Sequence, residues 1–158
     1  MVAAFTAPDG VDVVLVASDG QVLRTAVDGI SVQGRGAAGV AGMKLRNDAT
    51  VVAAAVVLGD EALVTVADDA SVKATPLSEL EAKGRAGVGV RVSRMADGAS
   101  LTLAQVGPAI GLLAVMASDA DPKKPDPAPV PLMLEATRRD LVSTALERQI
   151  LAIGPARW

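Results

Sequence analysis

The chain has no cysteine, no histidine and no tyrosine, and its 158 residues include one phenylalanine and one tryptophan. Without Cys there is neither a disulfide framework nor a thiolate metal site, and nothing argues for export. Without His the commonest general base and the commonest metal ligand are gone. Without Tyr no phenolic nucleophile exists. The near-absence of aromatic rings excludes the stacking platforms of single-strand nucleic-acid binders, and it fits a sugar-binding lectin poorly. No uninterrupted apolar segment approaches the ~20 residues that span a bilayer, so no membrane partner is expected. The opening MVAAFTAPDGVD has no basic region and no long apolar run, and no signal peptide is expected there. Paired acids such as Asp68-Asp69 and Glu79/Glu81 fall in turns without a His, and at best hold a divalent cation weakly. No catalytic constellation is left.

What the chain does have is Val, Ala and Leu, with 51% of its residues hydrophobic. β-branched and small side chains suit closely stacked sheets better than a large cofactor cavity. The length suits one domain over residues 1–158, of a soluble, cytoplasmic kind. Fifteen glycines are scattered through it. They concentrate in two stretches: residues 33–45 read QGRGAAGVAGMKL, and residues 82–95 read AKGRAGVGVRVSRM. Arg35 falls on Arg85 at a shift of 50 residues, and the same shift sets Gly39 on Gly89, Val40 on Val90 and Lys44 on Arg94. Tandem units of about 20–50 residues point to a solenoid, a propeller or a related blade array.

Each unit opens on an apolar strand, residues 11–17 and 61–67. A turn follows, Ser18-Asp19-Gly20 in one unit and Asp68-Asp69-Ala70 in the other, and then a partner strand at 21–27 or 71–77. Arg24 lies in the first partner strand and Lys73 in the second. They differ by one place in the repeat, which puts them on opposite faces. Residues 30–32, 40–45 and 50–57 are expected as further strands of the first unit, and 91–95 and 100–106 of the second. Residues 78–83 read as a helical turn or a loop, with the loop favoured. The first unit covers about 11–57 and the second about 58–107. Val2, Ala3 and Ala4 fall on Val52, Ala53 and Ala54, so the chain is expected to start on the last strand of a preceding unit, as a piece of something longer.

Beyond residue 107 the pattern loosens. Residues 109–117 form an apolar strand, and about 119–131 form a Pro- and charge-rich loop or linker. Residues 132–146 again fit the opening hairpin, with a turn at Arg138-Arg139-Asp140. Two registers compete: residues 109–117 as strand one of the third unit, or that unit starting at Leu132. The second matches both hairpin strands and is preferred, giving a partial third unit over about 132–153. It has no Gly-Arg segment of its own, which leaves Arg138 and Arg139 as turn residues and Lys123-Lys124 as solubilisers of the linker.

The recurring elements carry a resemblance. They are Gly20-Gln21-Val22-Leu23-Arg24-Thr25, Val72-Lys73-Ala74-Thr75-Pro76-Leu77, Gly34-Arg35, Gly39-Val40, Gly42-Met43-Lys44-Leu45, Gly84-Arg85 and Gly89-Val90. This set resembles the repeat of the C-terminal domain of the bacterial DNA gyrase and topoisomerase IV A subunits, over most of 2–107 and more weakly 132–153. The resemblance implies an all-β, propeller-like β-pinwheel, here two full blades of about 50 residues plus a partial third, with strands exchanged between neighbours. Full discs of that family carry more blades than this chain can form. It also implies a non-catalytic role in contacting and bending double-stranded DNA, in support of supercoiling, relaxation or decatenation. Partners would be the catalytic core of the same polypeptide and an ATPase subunit, in a nucleoid-associated cytoplasmic setting. This chain would need no cofactor, with ATP and Mg acting through other domains of the parent. The tyrosine that breaks DNA in that family would lie elsewhere in the parent. The gyrase-type wrapping signature resembles Gln-Arg-Arg-Gly-Gly-Lys-Gly. Its nearest match, Gln33-Gly34-Arg35-Gly36-Ala37-Ala38-Gly39, lacks the second Arg and the Lys, which implies weaker wrapping.

The net charge of −3 runs against DNA binding, but its distribution is more favourable. Arg35, Lys44 and Arg46 outweigh Asp48 in one Gly-rich stretch. Lys73, Lys83, Arg85, Arg91 and Arg94 outweigh Glu79 and Glu81 in the other. The acids gather instead around Asp9, Asp12, Asp60, Glu61, Asp68 and Asp69. Arg24 and these eight cations are the candidate DNA contacts. Gly34, Gly36, Gly39, Gly84, Gly87 and Gly89 are the turn glycines that let the backbone approach phosphate. Arg35 with Lys44, and Arg85 with Arg94, are the leading pairs. The alternative is a protein-interaction propeller or adaptor without DNA affinity, favoured by the acidic balance and the Pro-rich tract.

Overall fold

The apolar runs become short antiparallel ladders in the computed structural model, which describes residues 1–59 and 61–155. The strands are β1 (Asp12–Ala17), β2 (Gln21–Ala26), β3 (Val51–Val57), β4 (Ala62–Ala67), β5 (Ser71–Pro76), β6 (Val90–Arg91), β7 (Leu101–Gly107), β8 (Leu112–Met116), β9 (Val130–Leu132), β10 (Thr144–Ala145) and β11 (Ile150–Pro155). The β1–β2 turn closes at Gly20, whose φ of +80° suits glycine, and the Asp19 carboxylate accepts the Gln21 amide at 3.1 Å. The β4–β5 turn repeats this with Asp69 and the Ser71 amide at 3.0 Å. Hydrogen bonds from the Ser71 side chain and amide hold the Asp69 carboxyl below its ordinary value. Ala70 stands where Gly20 stands and takes φ +62°.

Three sheets result, ordered β3-β1-β2-β6, β10-β5-β4-β7 and β11-β8-β9. The outer strand of the first sheet, β6, belongs to the second unit, and the outer strand of the second, β10, to the third. Strand exchange thus links each sheet to the next. Between the first two sheets, Val14, Val16 and Val22 pack with Leu63, Leu77, Leu80, Val92 and Leu101. Between the second and third, Val64, Val66 and Val72 pack with Leu112, Ala114, Leu132 and Ile150. β4 is buried along its whole length, which is why it reads as a continuous apolar run rather than an alternation. Each sheet has one irregularity at the same place, Val16/Ala17, Val66/Ala67 and Ile150/Ala152, and this fixes the registers against one another.

The third unit follows the register rejected on sequence grounds. β8 pairs with both β9 and β11, as β1 does with β2 and β3, so residues 112–116 are its first strand and Leu132 lies in its second. The expected hairpin over 132–146 does not form, because β10 pairs with β5 of the second sheet. The Pro-rich tract is the connection between β8 and β9, and it is tied down. Asp126 accepts Arg148 at 2.9 Å, and its amide donates to the Met116 carbonyl at 2.8 Å. The Arg148 side chain holds the Asp126 carboxyl below its ordinary value. Residues 30–32 and 40–45 form no strand, and residues 1–8 have no regular structure. Residues 80–82, at the place of 30–32 in the second unit, form no strand either. Residues 77–79 make a single 3-10 turn that takes in the start of the segment expected as a loop, and residues 80–83 have no regular structure.

Candidate nucleic-acid interface

The glycine-rich stretches form a turn that recurs three times. In the first unit the Ala37 amide donates to the Gly34 carbonyl at 3.1 Å, and in the third the Leu141 amide donates to Arg138 at 3.1 Å. The second and third turns dock alike: the Lys83 amide reaches the Arg24 carbonyl at 2.8 Å, and the Thr137 amide reaches Ala74 at 2.9 Å. Arg35, Arg85 and Arg139 therefore occupy one position in successive units. The third unit has this turn without a Gly-Arg segment. Arg138 and Arg139 were missed because the glycines are gone and the shift between turns lengthens from 50 to 54 residues. The remaining signal was an Arg ahead of a Val, in Arg139 and Val142 as in Arg85 and Val88.

Two of the nine candidate cations are internal. Arg24 is half-buried, pairs with Asp12 at 2.7 Å, and donates to the carbonyls of Leu77 at 3.1 Å and Leu80 at 3.3 Å. Lys73 is 3% exposed, and its ammonium donates to the carbonyls of Arg139 at 3.0 Å and Leu141. Burial lowers the Lys73 pKa below its ordinary value against the opposing pull of Asp140 and Glu79. Both side chains tie one unit to the next and neither faces a ligand. Arg46 and Arg91 line an open cleft of about 440 Å³ with Asp19, Asp48 and Asp97, which offset their field. Asp60 lies outside the described residues.

Arg35, Lys44, Lys83, Arg85 and Arg94 are exposed and belong to no ion pair among the described residues. Their grouping differs from the sequence pairs. Residues 41–44 run beside the second turn: Lys44 donates its amide to Gly87 at 2.8 Å, Ala86 donates to Gly42 at 2.6 Å, and the Arg85 side chain reaches the Ala41 carbonyl at 3.3 Å. Lys44 is therefore grouped with Lys83 and Arg85. Arg94 is bridged to Val142 beside the third turn, and is grouped with Arg138 and Arg139. Each composite site takes its turn from one unit and its extra cation from the unit before. Arg138 also meets Asp140 at 3.4 Å.

The six turn glycines divide by cause. Gly89 has φ +79°, and a Cβ there would lie 2.6 Å from the Val22 carbonyl carbon. Gly87 packs on Leu23, 3.6 Å from where its Cβ would be, and Gly39 has φ +84° in open space. Gly34, Gly36 and Gly84 have neither a left-handed φ nor any atom within 4 Å. Their effect is to leave the backbone beside Arg35 and Arg85 bare. Among the described residues, no group of acids could hold a metal ion, and no helix is long and apolar enough to cross a membrane.

The sequence profile of the DNA gyrase C-terminal domain, a beta-propeller, matches residues 12–58 and 61–106. The chain belongs to that family. No curated protein matches it in sequence. Among solved structures, the C-terminal domain of DNA topoisomerase IV aligns over 92% of the chain and 47% of its own length, with 19% identity and a TM-score of 0.77. The E. coli ParC C-terminal domain aligns over 95% and 62%, at 14% identity and 0.70. A DNA gyrase A C-terminal domain aligns over 71% and 36%, at 19% identity and 0.58. The chain thus spans about one third to three fifths of the family domains it matches, and the propeller fold is common ground.

Proposed function

We propose that the chain is a non-catalytic DNA-binding and DNA-bending domain of the DNA-cleaving component of a type II topoisomerase, contacting duplex backbone without reading sequence. The observation that carries this is the repeated composite site, an arginine turn joined by a cation of the preceding unit, as in Lys44 with Lys83 and Arg85 and in Arg94 with Arg138 and Arg139. Guanidinium forks and bare glycine backbone suit phosphate oxygens, and a site repeated from unit to unit suits contact with a repeating backbone. The missing cations in residues 33–39 favour weaker wrapping than a gyrase signature would give. The partners are the parent's catalytic core and an ATPase subunit, the setting is the nucleoid-associated cytoplasm, and ATP and Mg act in other domains. This chain uses no cofactor.

A gel shift on duplex of about 150 bp, near one persistence length, tests the reading. With about six phosphate contacts, affinity falls roughly a thousandfold between ~50 and ~200 mM salt. Lys44→Glu with Arg85→Glu abolishes the shift at low salt. Absence of any shift by the unmodified chain at low salt would reject the reading. A second reading, a protein-interaction module, is supported by one observation. Ile110 and Met133, both largely exposed, line an apolar groove with Ala109, Leu134 and Ala136. It predicts a pulled-down protein partner that Met133→Lys releases, and no DNA affinity.

A further inference from the structure

The three arginine turns end on different side chains. With Arg35, Arg85 and Arg139 at one position, the place of Leu141 is taken by Ala37 in the first unit and by Gly87 in the second. Val142 stands at the place of Ala38 and Val88. Gly87 and Val88 are half-buried, whereas Leu141 is 48% exposed and Val142 72%. Single apolar side chains on a surface are ordinary. These two are adjacent, at the end of a turn that also holds Arg138 and Arg139, and Arg94 is bridged alongside.

Their exposure has a local cause. Among the described residues, the groups bonded to the second turn all come from the first unit: the carbonyls of Arg24, Gly29, Ala41 and Gly42, and the Lys44 amide. The corresponding neighbours of the third turn come from the second unit and are in place. Ala74 accepts the Thr137 amide at 2.9 Å, and Arg94 runs beside Val142 as Lys44 runs beside Gly87. What differs is the side chain, large and apolar where the earlier turns are small.

The turn stands on a fixed base. Its own Leu141 amide donates to Arg138 at 3.1 Å, and the Lys73 ammonium donates to the carbonyls of Arg139 and Leu141. The buried Ser93 hydroxyl meets that of Ser143 at 2.5 Å. The frame around the tip is cationic. Asp140 is engaged by Arg138 at 3.4 Å, and Arg94 and Arg139 belong to no ion pair among the described residues. An apolar tip inside a cationic frame matches a duplex groove, in which phosphates line the edges and stacked bases lie between them.

We propose that Leu141, with Val142 beside it, is a wedge that enters the minor groove and partly separates two base pairs, while Arg94, Arg138 and Arg139 hold the flanking phosphates. This rests on the DNA-binding reading above and adds a second kind of contact to it. Apolar wedges of this sort kink a duplex by about 20–90°. Unstacking is easiest at pyrimidine–purine steps such as TA, so the third turn settles on such a step without reading a base edge. The first two turns, with Ala37 and Gly87, touch backbone alone.

Duplexes of about 30 bp test the wedge, with end dyes that report bending. One carries a central TA step with 2-aminopurine as its adenine, and the other carries the same 2-aminopurine after guanine. At low salt the unmodified chain raises the 2-aminopurine fluorescence of the TA duplex and kinks it by about 20–90°, and does neither to the other. Leu141→Ala loses both signals and Leu141→Met, a wedge of similar size, restores them; far-UV circular dichroism shows that each variant is folded. A chain that shifts duplex in a gel but leaves the fluorescence unchanged overturns the wedge and leaves the backbone reading standing. Signals that Leu141→Ala retains overturn it as well. A chain that shifts no duplex in the gel overturns both.

Discussion

Residues 33–45 and 83–95 have nearly the same pattern and different fates. In the second stretch Val90 and Arg91 pair with β2, and Leu80 just before it is 1% exposed. In the first, Val40 pairs with no strand among the described residues, and Ile30, at the place of Leu80, is 38% exposed. The difference between them is the presence of a preceding sheet. Strand formation here is a property of the junction, in keeping with the context dependence of β-propensity. The glycines make the same point, since Gly39 and Gly89 share a left-handed backbone but only Gly89 has a neighbour that requires the missing side chain.

The strongest way to break this comparison is to put side chains on those glycines. Gly89→Val drives a Cβ into the Val22 carbonyl from a strained backbone, and should cost more than about 3 kcal/mol. Gly39→Ala meets only the left-handed strain, about 1–2 kcal/mol. Urea unfolding measures both, and equal losses would remove the distinction. Next comes the apolar pair. Leu80→Ala empties a filled site between sheets and should cost about 2–5 kcal/mol. Ile30→Ala, on the uncovered side, should stay below about 1 kcal/mol by the same titration.

The smallest effect sharpens the comparison at Lys73, which stands where the first unit has Leu23. Val72↔Val66 and Val22↔Val16 fix that equivalence. Lys73→Leu removes a buried charge and two hydrogen bonds together, and should change stability at neutral pH by less than about 1 kcal/mol. It should leave DNA affinity unchanged. Because the folded state lowers the pKa of Lys73, the unfolded chain binds more protons between that lowered value and the ordinary 10.5. Stability of the unmodified chain should therefore gain a rising contribution with pH across that window, absent in Lys73→Leu, as thermal melts between pH 8 and 10.5 would show.

The class of fold and the first two units were legible because their strands are apolar on both faces, their turns carry Asp and Gly, and a constant 50-residue shift aligns them. The third unit was not, because the connection through Pro125 to Pro131 displaces everything after Met116. A chance likeness of residues 132–146 to a hairpin then outweighed the displaced true register. For the candidate site, the exposed cations of the second turn were legible from Gly84-Arg85 alone. The internal roles of Arg24 and Lys73 were not, since a cation within an apolar strand reads the same whether it meets phosphate or a carbonyl of the next unit. Arg139 was hidden by the loss of its glycines, and the true grouping of Lys44 with Arg85 by its crossing from one unit to another.

Exchanged strands also govern the order in which the molecule can be made. β2 gains its outer partner through Gln21↔Arg91 and β5 gains its own through Val72↔Thr144, so each pairing waits for the succeeding repeat to be synthesised. Such distant pairings are slow steps in folding, and until they form a growing chain exposes bare edges. A chain ending at residue 107 would not be a shortened form of the same object, because it would keep β5 with its outer edge open. The strand that covers β5 comes only with the third repeat, so a later part of the chain completes an earlier one.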